Sequence, residues 1–141
     1  MSGHDAAQAA PAGADTWLDA IAFDAAGLVP VIAQQADDKR ILMVAWADRA
    51  AVAETQASGL ATYYSRSRAR RWRKGEESGN VQQVRELRLD CDGDVVIYLV
   101  EPVQGPACHT GRASCFFRRL EDGVWRPVDP VLVDPALLYR R

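Results

Sequence analysis

The stretch ILMVAWADRAAVAETQASGLATYYS, residues 41–65, decides the fold class. Its apolar opening, ending at Trp46, predicts a well-buried strand over residues 40–46. Asp48 follows with a short carboxylate suited to the unpaired N–H groups of a first helical turn, and Ala50, Ala51, Ala53 and Ala57 are strong helix formers. The helix runs to Ser58, and Gly59 stands where a left-handed residue lets the chain turn away. Residues 60–65 then return to the aromatic and β-branched composition of a strand.

Outward from this segment the pattern is one of hairpins. Gly27 opens a strand over residues 28–34, and Asp37-Asp38-Lys39 turns it into the strand that ends at Trp46. Residues 16–22 read as a short helix capped by Asp15 or Thr16, with Trp17, Leu18 and Ile21 on one side. Downstream, residues 66–80 are polar and glycine-containing, without periodicity, and predict a long loop. Residues 81–91 alternate, placing Val81, Leu87, Leu89 and Cys91 on one face and Glu86, Arg88 and Asp90 on the other. Asp92-Gly93 turns this strand into another over residues 95–100. Residues 102–114 read as loop, and 115–120 with 124–126 as a last hairpin around Glu121-Asp122-Gly123. The expected fold is α+β: one domain over residues 16–141, mixed hairpins with one main helix, preceded by an alanine-rich disordered tail over residues 1–15.

Composition narrows the function classes. The 141 residues fit one domain, and 48% apolar with 26% charged residues describes a globular chain. The formal net charge of -2 and a pI near 5.7 argue against a domain that coats nucleic acid. The longest uncharged run, residues 25–36, contains Pro30 and falls far short of the ~20 residues of a membrane helix. No secretory signal is expected at the start, since residues 1–15 lack a basic opening and an apolar stretch. Three cysteines without an export signal suit a reducing compartment, the cytoplasm by default.

Positive charge is focused. Arg66, Arg68, Arg70, Arg71, Arg73 and Lys74 place six positive charges in nine residues, while the rest of the chain carries eleven against nineteen negative. Ser65, Ser67 and Trp72 are interleaved with them, and Gly75, Glu76, Ser78 and Gly79 follow. Guanidinium forks, hydroxyls and backbone N–H groups are the equipment for gripping phosphate. A solvated basic loop, or a nucleic-acid contact with Trp72 stacking on a base, fits the same residues.

Cys91, Cys108 and Cys115 are spaced C-x16-C-x6-C, and thiolates are favoured zinc ligands. Three protein ligands leave the fourth tetrahedral position to water, the catalytic arrangement; His109 as a fourth ligand closes the site. Buried, inert cysteines are compatible with the same spacing. Asp90, Asp92 and Asp94 set three hard oxygen donors at one turn, suited to a divalent cation or simply to an acidic turn. An EF-hand is excluded because Val95 occupies the position that requires glycine. His109, the one histidine outside the tail, is either structural or placed between candidate ligands to move a proton.

In combination and in this order, FDAAGLVPVIAQ (23–34), residues 41–68, WRKGEESG (72–79), VQQVRELRLDCDGD (81–94) and ACHTGRASCFF (107–117) resemble the phosphoribosyl-AMP cyclohydrolase family of histidine biosynthesis. Departures are small: Ala47-Asp48 replaces a frequent Met-Asn, and Arg71 a frequent Leu. The resemblance implies zinc on Cys91, Cys108 and Cys115, magnesium on Asp90, Asp92 and Asp94, and a proton shuttle at His109. It implies hydrolytic opening of the purine ring of phosphoribosyl-AMP by a zinc-activated water, with the substrate gripped by Ser65, Arg66, Ser67, Arg68, Trp72, Lys74, Gly75, Glu76, Ser78 and Gly79. It further implies an intertwined homodimer in which Cys91 of one chain joins Cys108 and Cys115 of the other. Only about twenty residues follow Leu120, so the pyrophosphate-removing enzyme fused to some members is expected on another chain. The competing class is a non-catalytic zinc module that binds RNA or a protein through residues 66–74, distinguished by whether water or His109 completes the metal site.

Overall fold

The computed structural model describes residues 16–102 and 105–138. The tail over residues 1–15 and the last three residues lie outside them. Eight strands and two short α-helices follow a 3-10 turn at Thr16–Ala20: β1 Leu28–Gln35, β2 Ile41–Asp48, α1 Arg49–Ser58, β3 Thr62–Ser65, β4 Arg70–Arg73, β5 Val84–Leu89, β6 Val96–Val100, β7 Arg118–Glu121, β8 Val124–Pro127 and α2 Pro135–Leu138. The first six strands form one mixed sheet in the order β4-β3-β2-β1-β6-β5, and β7 with β8 forms a separate hairpin. The expected α+β domain with one main helix is therefore present.

Helix α1 starts and stops as its ends dictate. The Asp48 carboxylate accepts from the Ala51 N–H at 2.8 Å, and Gly59 takes a left-handed φ of 77° while its N–H reaches the Thr55 carbonyl. Ala51, Val52 and Thr55 bury against the sheet. A buried hydroxyl inside a helix needs partners: Thr55 Oγ1 donates to the Ala51 carbonyl at 2.8 Å and accepts from the Thr62 N–H at 2.9 Å, stitching the helix to β3. The core behind it is built from Val29, Val31 and Ala33 of β1, Ala47 of β2, Tyr63 of β3 and Val96, Tyr98 and Val100 of β6.

Sheet order differs from sequence order at one place. β1 pairs antiparallel with β2 but parallel with β6, so the sheet centre joins two distant hairpins. Strand direction then fixes two ends of the sheet. The Leu28 end holds Asp48 and, through an Ala22 N–H to Gly93 carbonyl bond of 2.7 Å, the turn between β5 and β6. The Gln35 end holds the start of β2, where Cys115 N–H donates to the Leu42 carbonyl at 2.7 Å and Ser114 Oγ to the Ile41 carbonyl at 2.7 Å.

Four expectations are corrected. The predicted loop over residues 66–80 contains β4, an edge strand hidden because three of its four residues are arginines; only Trp72 turns to the core, 5.0 Å from Tyr63. The alternating strand over residues 81–91 shrinks to β5, whose register slips between Val84 and Glu86, leaving Val81, Leu89 and Cys91 exposed. The β5–β6 connection is longer than the two-residue turn expected from Asp92-Gly93, with Asp90 N–H bonded to the Val95 carbonyl at 2.9 Å. The last hairpin begins at Arg118 instead of Cys115, because the Cys115 N–H and the Ser114 hydroxyl are committed to carbonyls of β2. Its strands are exposed nearly throughout, with Leu120 and Trp125 paired across them and Trp125 63% exposed.

Candidate functional site

A cleft of about 690 Å³ opens along β4 and its flanking loops. The β3–β4 turn supplies Ser65, Arg66, Ser67 and Arg68; the loop after β4 supplies Lys74, Gly75, Glu76 and Ser78; Trp72 and Trp46 provide two indole walls. Nine of the ten residues predicted to grip substrate meet here, while Gly79 lines a neighbouring cavity. The Arg66 guanidinium carbon lies 4.6 Å from the centre of the Trp46 ring. Ser65 Oγ accepts from the Arg68 N–H at 3.2 Å and lies 3.3 Å from Ser67 Oγ, which orders the turn. Among the described residues neither Arg66 nor Arg68 forms an ion pair.

Glu76 shapes this cationic cleft by occupying part of it. Its carboxylate accepts from the Arg73 N–H at 2.7 Å and from Arg70 Nη2 at 2.9 Å, and these two contacts hold it below the usual carboxylate range. Gly75 is required behind it: at a φ of 90°, a Cβ there falls 2.5 Å from the Val81 nitrogen. Beneath the floor, the fully buried Tyr63 phenol donates to Gln82 Oε1 at 2.6 Å and supports Trp72 from below.

Next to the cleft lie Cys108 and Cys115. Cys108 is buried, and its sulfur accepts from Thr110 Oγ1 at 3.0 Å and from the Thr110 N–H at 3.5 Å. Cys115 is exposed as a residue, yet its sulfur is desolvated and lies beside the free thiol of Cys108; burial first, and then the charge of that neighbour, push its thiol up to about 12. Lys74 reaches the same place, donating from Nζ to the Ala107 carbonyl at 2.6 Å. Burial lowers its pKa, and the two sulfurs act against that shift. His109, beside Cys108, is exposed.

The third cysteine is elsewhere. Asp90, Cys91 and Asp92 bring their ligand atoms within 4.8 Å of one another at the exposed β5–β6 turn. Asp94 belongs to this cluster: its carboxyl shares a hydrogen bond with Asp90, which raises the pKa of Asp94 and lowers that of Asp90. The turn sits at the Leu28 end of the sheet, whereas Cys108 and Cys115 sit at the Gln35 end. Each strand residue between them adds about 3.3 Å, so one chain does not bring its three cysteines together.

The donor chemistry fits the expected metals. Two neighbouring sulfurs, one of them accepting two hydrogen bonds from Thr110, are soft donors that would bind zinc on losing their protons, and crowded carboxyls at a solvent-exposed turn suit a hard divalent cation. Sequence reasoning missed Trp46 as a cleft wall, because its apolar run reads as buried strand. The outward side of β2, where Val44 is half exposed, was the available signal.

A sequence model of the phosphoribosyl-AMP cyclohydrolase family matches residues 43–117 of this chain. Proteins named phosphoribosyl-AMP cyclohydrolase are similar over nearly the whole length. The one from Bordetella parapertussis is 59% identical over 129 residues, covering 89% of this chain and 96% of the relative. The one from Bordetella petrii is 60% identical over 128 residues, covering 88% and 96%. The one from Pseudomonas aeruginosa is 59% identical over 123 residues, covering 87% and 92%.

Proposed function

The chain belongs to the phosphoribosyl-AMP cyclohydrolase family, and on that premise we propose that it opens the purine ring of phosphoribosyl-AMP by hydrolysis, giving the formimino-aminoimidazole carboxamide ribonucleotide of histidine biosynthesis. The observation that carries this reading is the junction of an arginine-rich, indole-walled cleft with a pair of thiols. Arg66 and Arg68, unpaired with carboxylates among the described residues, bind phosphate groups. Trp46 and Trp72 offer flat apolar faces to the base. His109, exposed beside Cys108, holds or moves the proton that hydrolysis transfers.

Cys108 and Cys115 with a Cys91 would hold zinc, and Asp90, Asp92 and Asp94 would hold magnesium. Zinc bound there supplies Lewis acidity that brings the pKa of a water molecule toward neutrality. The position of Cys91 at the far end of the sheet supports a homodimer in which it serves the partner's thiol pair. The exposed β7–β8 hairpin supports the same assembly, since an isolated two-stranded ribbon is marginally stable without a covering surface. Three unpaired thiols suit the cytoplasm; among the described residues no helix is long and apolar enough to cross a membrane.

The direct test is to incubate purified protein with phosphoribosyl-AMP, zinc and magnesium, following ultraviolet absorbance for the ring-opened product. Turnover that disappears with a chelator and returns with both metals is expected. Unchanged absorbance with the zinc-loaded protein would overturn the activity and leave the non-catalytic zinc module.

A further inference from the structure

A carboxylate is built into the wall of the cationic cleft. Glu76 Oε1 accepts from the Arg73 N–H at 2.7 Å while the Glu76 N–H donates to the Arg73 carbonyl at 3.0 Å, so side chain and backbone close the same tight turn. Glu76 Oε2 accepts from Arg70 Nη2 at 2.9 Å. Arg70 is in turn the register partner of Ser65, where the turn that carries Arg66 and Arg68 begins. The negative charge is therefore fixed beside the phosphate-gripping turn. Glu77 lines the same cleft but is exposed, and among the described residues it forms no ion pair. Five basic side chains and these two carboxylates line the cleft, a net of three positive charges.

We propose that Glu76 is a specificity-determining residue of the cleft: its fixed carboxylate selects a nucleotide ending in single phosphates over the same nucleotide carrying a triphosphate. The inference rests on the substrate reading above and adds to it a limit on phosphate number. Phosphoribosyl-AMP has two phosphate monoesters, each about −1.5 to −2 in charge at neutral pH, which the three net positive charges of the cleft nearly balance. A triphosphate in place of the adenylate phosphate adds anionic oxygens that no further cation of the cleft meets. A chain of phosphates leaving Arg66 and Arg68 along β4 passes the Glu76 carboxylate, and like charges brought together in this way reject a ligand that the attractive contacts alone would accept. The Arg73 N–H ties the carboxylate to the backbone instead of leaving it to swing aside. The same N–H, and then Arg70, lower its pKa and keep it charged at neutral pH.

The test uses the full chain, loaded with zinc and magnesium. KM for phosphoribosyl-AMP and the inhibition constant of its triphosphate counterpart are measured at fixed ionic strength and fixed free magnesium, and the readout is the ratio of the inhibition constant to KM. Glu76→Gln keeps an oxygen for the Arg73 N–H and removes the charge, so the ratio should fall by about fivefold or more. Glu77→Gln removes a charge that is not tied in place and should move the ratio by less than about twofold. A general loosening of the turn shifts both constants together and leaves the ratio where it was. An unchanged ratio in Glu76→Gln therefore overturns the proposal, as does an equal fall in both variants or a parent ratio at or below one. If circular dichroism shows the glutamine chain unfolded, Glu76→Ala carries the same comparison. A parent that binds both nucleotides without turnover overturns the activity and not this inference, which is then read as the ratio of dissociation constants from quenching of indole fluorescence.

Discussion

The guanidinium of Arg66 stacks on the ring of Trp46 at 4.6 Å, joining the β3–β4 turn to the outward side of β2 across the mouth of the cleft. Stacking leaves the N–H edges of a guanidinium available for in-plane hydrogen bonds, so the same group can be held by the indole and still grip a phosphate. It is thereby pre-positioned without a carboxylate that would compete with the ligand.

Arg66→Ala is expected to raise KM for phosphoribosyl-AMP by about tenfold or more, the cost of one charge-assisted contact, with a smaller change in kcat. Arg66→Lys should recover only part of the loss, because an ammonium neither stacks nor forks. Steady-state kinetics at low and high salt check this. Unaltered KM at low salt removes Arg66 from the substrate site.

Asp92→Asn keeps one oxygen donor at the β5–β6 turn and removes a charge from the cluster of Asp90, Cys91 and Asp92. The activity should need a higher magnesium concentration, about tenfold or more, while zinc content per chain stays as in the parent. Titration of activity with magnesium and metal analysis are the two measurements. Identical magnesium dependence would leave the acidic turn without a metal.

A cross-complementation experiment tests the shared zinc. Cys91→Ser and Cys108→Ser are prepared separately, each inactive, then unfolded, mixed and refolded. If Cys91 serves the partner's thiol pair, a mixed dimer has one site with both defects and one site with all three cysteines intact. Random pairing makes roughly half the dimers mixed, so about a quarter of the parent activity should return. A mixture as inactive as its parents would rule out sharing between chains.

Glu76 links acidity to the shape of the cleft. Its pKa is depressed by the Arg73 N–H and then by Arg70, so its contribution to stability is present above the ordinary value of 4.5 and is lost as pH falls through the lower folded value. Glu76→Gln should therefore flatten the acid limb of a stability–pH curve below about pH 4.5. Urea midpoints collected between neutral pH and pH 3 report it. An acid limb identical to that of the parent would show that the contacts with the Arg73 N–H and with Arg70 do not hold the Glu76 carboxylate in solution.

The sequence by itself determined what depends on neighbours along the chain. Asp48 and Gly59 bound the helix because capping groups act within one turn, and the pairing of β5 with β6 followed from a turn between two apolar runs. The chemical inventory of the site was equally legible, since arginines, thiols and carboxylates declare their chemistry as residue types. Tertiary structure alone decided where these groups meet. The parallel pairing of β1 with β6 is invisible locally, yet it sends the Cys91 turn to one end of the sheet while Ser114 and Cys115 bond to β2 at the other. β4 was hidden because an edge strand facing solvent keeps its arginines and shows no alternation. Lys74 stands among arginines in the sequence, and only the packing of residues 107–115 against β2 put the Ala107 carbonyl within reach of its ammonium. Caps and turns act over a few residues, whereas these juxtapositions depend on strand order and on a rise of about 3.3 Å per strand residue, which accumulates into separations that spacing along the chain does not encode.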